Sequence, residues 1–344
     1  MTAVESIKPG WTDELTRARL HVVTGKGGTG KTTVAAALAL ALAQRRGSRV
    51  LLIEIEGRQG IAQLFDRPPL PYSEERIAST AAGGEVYALA IDAEAALLEY
   101  FEMFYNLGFA ARTLRRMGAI EFATTLAPGL RDVLFTGKIK ECVGRTDERG
   151  RHRYDAVVLD APPTGRIVKF LDVTRAMVDL AKVGPIKGQS EGVARLLHSG
   201  DTAVHLVTLL EELPVRETLD AVAELDAAEL RPGAVFVNRT RPPRLPAELV
   251  DRTADGDIDG IEAADGAGVR GQLRSAGLTL SDELFEDLVS ETVEHAQRMR
   301  AEARAAEDLD HADLPTARLP ELADGVDVGA LYELAEALAD QGVQ

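Results

Sequence analysis

The stretch from His21 to Ala43, HVVTGKGGTGKTTVAAALALALA, limits what this chain can fold into more tightly than any other part of it. An apolar run of strand character leads into a glycine-rich turn, and small apolar residues then continue long enough for a helix. Gly25 to Thr33 fit the pattern G-x-x-x-x-G-K-S/T in the strand-then-helix setting that gives the pattern its meaning. Gly25, Gly27, Gly28 and Gly30 let backbone N–H groups turn inward on phosphate oxygens, and the following helix adds its positive end. In such a loop Lys31 neutralises the β- and γ-phosphates, the Thr32 hydroxyl faces Mg2+, and Thr29 and Thr33 complete the binding turn.

Around this turn the sequence alternates short β-rich runs with longer helical patterns. RLHVVT, RVLLIEIE, EVYALAID, YDAVVLDAP, AVHLVTLL and AVFVNRT are apolar almost throughout, as strands covered on both faces are. The alternation predicts an α/β fold with a doubly wound, mainly parallel sheet. After a leader of residues 1–18, residues 19–344 are expected to form one domain of this kind, with an inserted helical subdomain over about 93–142 and 166–200. Tyr100, Phe101, Phe104, Tyr105 and Phe109 crowd into the first of those stretches, in a chain that is only 5% aromatic. Residues 251–268, DRTADGDIDGIEAADGAG, are acidic and glycine-rich and read as a mobile loop. Beyond them Leu284, Leu288, Val289 and Val293 are spaced for one face of a helix.

With 344 residues, 45% of them hydrophobic, the chain has material for a substantial core. Its formal net charge of −16 argues against a wide phosphate-binding footprint for nucleic acid and against an anionic membrane surface. The N-terminal MTAVESIKPGWTDELTRARL holds no apolar core of signal-peptide length, and the run Val34 to Ala43 falls short of the roughly 20 residues that cross a bilayer. A cytoplasmic protein without stable membrane insertion is the expectation. Cys142 is the sole cysteine, so no internal disulfide and no paired-cysteine zinc clasp can form. DGDIDG at Asp255 to Gly260 imitates the first half of a calcium loop, but Gly266 stands where a bidentate glutamate belongs.

Lys26, between the first two glycines of the loop, is not needed by a phosphate held in its own chain; its side chain can project outward over the phosphates of a neighbouring copy. A lysine at this place is the signature of the deviant phosphate-loop ATPases. The sequence resembles the branch of them that includes arsenite-pump ATPases and the ATPases that deliver tail-anchored membrane proteins, most of all the paired anion-transporting-ATPase-like proteins of actinobacteria. The resemblance runs from Leu20 to Leu338 apart from the acidic loop, and includes APGLRD at 127–132 and LPVRETLDAVAEL at 213–225. It implies bound ATP and Mg2+. It also implies two subunits facing each other across two ATP molecules, each Lys26 reaching the partner's nucleotide as an arginine finger would.

Asp160 to Gly165, DAPPTG, follows a strand and is similar to the family's second switch, D-x-A-P-T-G. An aspartate there holds Mg2+ through a water, and the turn senses the γ-phosphate. Arg166 follows where the family usually has a histidine. The first switch departs further, because EIEGRQG stands in place of an Asp-Pro-Ala-His run. By register Glu56 takes the place of the aspartate that orients the attacking water, Gly57 that of the proline and Gln59 that of the histidine. Glutamate is one methylene longer, and a displacement of about 1 Å can cost a positioned catalytic group roughly a hundredfold in rate. Binding of ATP is therefore better supported than its hydrolysis. Lys26, Lys31 and Glu56 are the candidate catalytic residues, and Thr32 and Asp160 the candidate Mg2+ ligands. Asn238, ending AVFVN, corresponds to the family asparagine that contacts the adenine edge, where an amide offers both donor and acceptor. RLPELADGVDVGALYELAEAL at 318–338 resembles the family's closing Leu-Pro segment and last helix, which implies that Pro320 and Glu321 fall near the base.

A metalloid pump of this family binds arsenite through cysteine thiolates, and one Cys142 cannot supply a three-sulfur site. A surface-organising ATPase carries a basic amphipathic tail or a basic DNA face, whereas the tail here, DVGALYELAEALADQGVQ, is acidic. What these exclusions leave is a dimeric, ATP-driven switch that closes over two nucleotides and joins two helical subdomains into one surface for a partner or protein client. In the paired relatives one member keeps the standard switch and the other drifts. A heterodimer with a paralogous ATPase is therefore the preferred assembly, with this chain the weaker hydrolase or a hydrolysis-impaired regulatory subunit; a homodimer is the alternative.

Overall fold

Residues 10–45, 47–55, 57, 59–105, 130–172, 185–257, 268–323 and 325–343 are described by a computed structural model. Along them run α1 (Asp13–Arg17), β1 (Leu20–Gly25), α2 (Lys31–Leu42), β2 (Arg49–Glu54), α3 (Gly60–Leu64), β3 (Glu75–Ser79), β4 (Glu85–Ala90), α4 (Ala93–Tyr105), α5 (Leu130–Gly144) and β5 (Ala156–Asp160). There follow α6 (Thr164–Leu171), α7 (Pro185–Leu197), β6 (Thr202–Thr208), α8 (Glu212–Ala227), β7 (Pro232–Thr240), α9 (Ala247–Ala254), α10 (Val269–Ser275), α11 (Asp282–Leu309), β8 (Thr316–Pro320) and α12 (Val328–Asp340). The chain divides into two compact units, and the larger, Lys8–Leu209 with Glu217–Thr240 and Ala312–Gln344, holds all eight strands.

Strands buried on both faces need neighbours on both sides, and these strands form one sheet in the order β3-β4-β2-β5-β1-β6-β7-β8. Every neighbouring pair is parallel except β3 against β4. The six predicted runs are β1, β2, β4, β5, β6 and β7, so the α/β, mainly parallel sheet is the one that the alternation predicts.

Side-chain alternation along the strands separates two cores. Leu20, Val22, Leu51, Ile53, Val157, Leu159, Val204 and Leu206 face Phe135 and Ile139 of α5 and Ile167 and Phe170 of α6. Val23, Val50, Leu52, Ala156, Val158 and Val207 face the other way, onto α2 and onto Leu331, Leu334 and Leu338 of α12. Helix α2 is buried from Val34 through Leu42, and its alanines let the sheet and α12 close on it from both sides. Each fully buried valine or leucine contributes about 1.5–3 kcal/mol here. Continuing the alternation by two residues turns Glu54 and Asp160 toward α2 as well.

Under the first strand a chain of hydrogen bonds fixes two imidazoles. The Ala234 N–H donates to His205 Nδ1 at 3.0 Å, so the proton of His205 sits on Nε2, which donates to His21 Nδ1 at 3.0 Å. His21 Nε2 in turn donates to the Ala18 carbonyl at 3.1 Å. Both rings are buried and neutral, and Trp11 stacks on each of them.

The smaller unit contains the described residues of Arg241–His311 together with Leu210–Arg216. Ser281 caps α11 by accepting from the Leu284 N–H at 3.2 Å. The buried seam of α11 starts at Phe285, and Leu284 and Leu288, two of the residues spaced for one helix face, stand exposed. The acidic stretch 251–268 begins inside α9, and 258–267 lie outside the described residues. Tyr100 to Tyr105 belong to α4, and Phe109 lies outside the described residues.

Candidate nucleotide site

The Gly25–Thr33 loop leaves β1 at the carboxyl ends of the parallel strands, the edge on which open α/β sheets bind ligands. The loop closes on one atom: the Lys26 carbonyl accepts from the Thr29 N–H at 3.4 Å, the Thr29 hydroxyl at 2.9 Å and Lys31 Nζ at 3.4 Å. Gly30 is the N-cap of α2 with φ +89°, and a Cβ there would lie 2.4 Å from Asn238 Nδ2. Only glycine meets both conditions. It brings no capping side chain, and no acidic residue occupies the first turn, so α2 opens its N–H groups to an anion. Gly27 and Gly28 are exposed at the rim; Lys31, Thr32 and Thr33 are half-buried behind them.

Thr32 Oγ1 donates to Asp160 Oδ2 at 2.7 Å, which brings a P-loop hydroxyl onto a carboxylate that ends β5. The turn after Asp160 is tied to β1, with the Ala161 N–H donating to the Val23 carbonyl at 2.9 Å and the Thr24 hydroxyl to the Pro162 carbonyl at 2.6 Å. Hydroxyl and carboxylate oxygens fit a hard divalent cation such as Mg2+. Helix α6 starts at buried Thr164, and Arg166 within it reaches Asp132 of α5 at 4.0 Å.

Glu56 lies outside the described residues. Beside it, Glu54 is only 3% exposed and its carboxylate accepts from the Gly60 N–H at 2.8 Å and the Ile61 N–H at 3.3 Å. The amide of Gln59, at the histidine's register position, is spent on Leu70: Nε2 donates to its carbonyl at 3.2 Å and Oε1 accepts from its N–H at 2.7 Å. Sequence reasoning passed over Glu54. The available signal was a charge closing the apolar run VLLI within RVLLIE.

At the far side of the loop Asn238 is buried, and its Nδ2 donates to the Thr29 carbonyl at 2.8 Å. Pro320 and Glu321 are exposed at the end of β8, where the Glu321 N–H donates to the Thr240 carbonyl at 2.9 Å. Lys26 Nζ lies 3.0 Å from Glu217 Oε1 of the same chain. The loop, Asp160, Asn238 and Glu217 are thus brought together around one sheet edge.

Residues 18–199 match the family model described as anion-transporting ATPase. ATPase BagA of Mycobacterium tuberculosis is 59% identical over 335 residues, which cover 97% of this chain and 96% of that relative. ATPase GET3 of Lachancea thermotolerans is 27% identical over 199 residues, 56% of this chain and 55% of that relative. Among the described residues no helix is long and apolar enough to cross a membrane. A glycine loop opening onto a bare helix end, the Thr32–Asp160 contact at the strand ends and these similarities agree: the chain belongs to the anion-transporting ATPase family.

Proposed function

We propose that this chain binds ATP with Mg2+ in the Gly25–Thr33 loop, hydrolyses it, and works as one half of a dimeric switch. The observation that carries the reading is the Thr32 hydroxyl set 2.7 Å from the Asp160 carboxylate below the uncapped start of α2. Lys31 turns from the Lys26 carbonyl, 3.4 Å from its Nζ, onto phosphate oxygens. Thr32 and Asp160 hold Mg2+, the latter through a water, and the ion neutralises charge on the β- and γ-phosphates when bound. Asn238, Pro320 and Glu321 surround the base. Lys26 crosses to the partner's nucleotide, and Glu56 orients the attacking water. Arg166 and Asp132 link the helix that follows the second switch to α5, a route by which nucleotide state reaches the helical segments within 93–142 and 166–200. Those segments form the surface for a partner or protein client; nucleic acid, metalloid and membrane insertion have no part in it.

The assembly we favour is a heterodimer with a paralogous ATPase, in the cytoplasm, over a homodimer. A second reading, a hydrolysis-impaired regulatory subunit, draws support from the first switch, where Gln59 is tied to Leu70 by both ends of its amide. Calorimetry with MgATP, single-turnover hydrolysis and sedimentation separate the readings. Binding with turnover and nucleotide-dependent dimers supports the first; binding and pairing without turnover supports the second. No uptake of MgATP overturns both. Purification from the native cell followed by mass analysis decides the partner.

A further inference from the structure

Glu54 ends β2 and pairs in register with Asp160 at the end of β5. Paired residues of parallel neighbours point to one face, so both carboxylates leave the sheet on the α2 side, one strand spacing of about 4.8 Å apart. Asp160 meets Thr32 there at 2.7 Å. Glu54 meets the start of α3, accepting from the N–H groups of Gly60 and Ile61 at 2.8 Å and 3.3 Å. Gly60 is wedged between the two. A Cβ built on it would fall 3.2 Å from Thr32 Cγ2, 3.9 Å from Thr32 Oγ1 and 3.5 Å from Glu54 Oε1.

The juxtaposition has a chemical reading. A buried carboxylate is costly unless hydrogen bonds and positive charge offset its desolvation, and the N-terminus of α3 supplies part of that. A second carboxylate on the neighbouring strand adds repulsion, which a divalent cation in front of both removes.

We propose that Glu54 is a positioning residue of the cation site: it clamps the start of α3 against Thr32 and, beside Asp160, places a second negative charge before the ion's water shell. The proposal rests on the nucleotide reading given above. Nothing in the phosphate-loop pattern requires an acid at this strand position, so the assignment belongs to this chain's own geometry.

Glu54→Gln keeps the size and one acceptor oxygen while removing the charge. Calorimetric titration of ADP is run in EDTA and at graded Mg2+ on both proteins. Loss of an outer-shell partner weakens metal affinity about 10- to 100-fold, so the half-saturating Mg2+ concentration is expected to rise about tenfold, with affinity in EDTA changed less than about twofold. Glu54→Asp, which keeps the charge on a shorter arm, restores part of the Mg2+ dependence. A half-saturation unchanged in Glu54→Gln overturns the proposal. Should that variant not fold, hydrogen exchange at Gly60 and Ile61 of the unaltered protein decides. With ADP bound, Mg2+ is expected to slow exchange at these two amides, and exchange indifferent to Mg2+ overturns the proposal. Failure of the unaltered protein to bind ADP in either condition overturns the nucleotide reading itself.

Discussion

Lys26 and Glu217 form an ion pair within one chain, Nζ to Oε1 3.0 Å, so the lysine assigned to a partner's nucleotide is held in cis. Both side chains remain partly exposed, 28% and 37%, and a pair of that kind is worth at most about 1 kcal/mol. It is a light latch. Glu217→Gln is expected to lower the nucleotide concentration needed for dimer closure about two- to fivefold, an advantage that shrinks as salt is added. Lys26→Ala is expected to abolish nucleotide-driven closure and leave ADP binding to the single chain within about twofold. Sedimentation at two ionic strengths checks both.

The rear of the nucleotide loop rests on Asn238, and Gly30 leaves the room for it. Gly30→Ala puts a Cβ into a φ of +89° and 2.4 Å from Asn238 Nδ2, which drives the amide off the Thr29 carbonyl. Backbone strain of that kind costs about 1–3 kcal/mol, and the expected result is at least a tenfold loss of ATP affinity, about 1.4 kcal/mol. Asn238→Ala removes the brace together with the amide assigned to the base, without backbone strain, and is expected to cost about 1–2 kcal/mol of stability. Calorimetry and urea denaturation separate the two effects.

How much of this was legible beforehand follows from burial. Strands β1, β2, β4, β5, β6 and β7 show runs that are apolar almost throughout because both faces are covered. The edge strands do not: β3, ERIAS, buries little more than Ile77, and β8, TARLP, alternates buried Ala317 and Leu319 with exposed Arg318 and Pro320. Lys31, Thr32 and Asp160 were readable because phosphate chemistry dictates both residue type and spacing. Glu54, Gln59 and Glu217 were not, since their roles depend on the turns and helices that bring Gly60, Leu70 and Lys26 against them. Leu284 and Leu288 illustrate a related point: helical spacing shows that an apolar face exists, and it does not tell that Phe285 is the residue buried.

Cys142 is buried in α5, where desolvation and the neighbouring Glu141 charge push its thiol up to about 12. The thiolate is the reactive form, and three units above the ordinary 9.0 leave about a thousandfold less of it at neutral pH. Ellman's reagent is therefore expected to leave the folded chain untouched on the timescale that modifies it fully in denaturant. Rapid modification of the folded protein would show that α5 opens readily.

The histidine pair sets the acid limit of the larger unit. Burial holds His21 down to about 4 and His205 well below the ordinary 6.5, and the Arg231 charge acts in the same direction on both. The unfolded chain takes up protons on both rings near pH 6.5, whereas the folded chain does not until much lower. Stability contributed by the pair is therefore complete above about pH 7 and falls as the pH drops from 6.5 toward 4, by up to about 1.4 kcal/mol per pH unit for each histidine. Glu85, held below the ordinary carboxylate range by its hydrogen bond from Arg76, loses its contribution only at lower pH than the interval from 6.5 to 5 over which the imidazoles act. Trp11, the only tryptophan, stacks on both rings and reports on them directly. Urea midpoints followed by its fluorescence are expected to drop steeply across that interval. Replacing both histidines with valine lowers stability at pH 7.5, because the Ala18 carbonyl and the Ala234 N–H lose their partners, and flattens the slope. A double variant with an unchanged slope would place the acid sensitivity elsewhere.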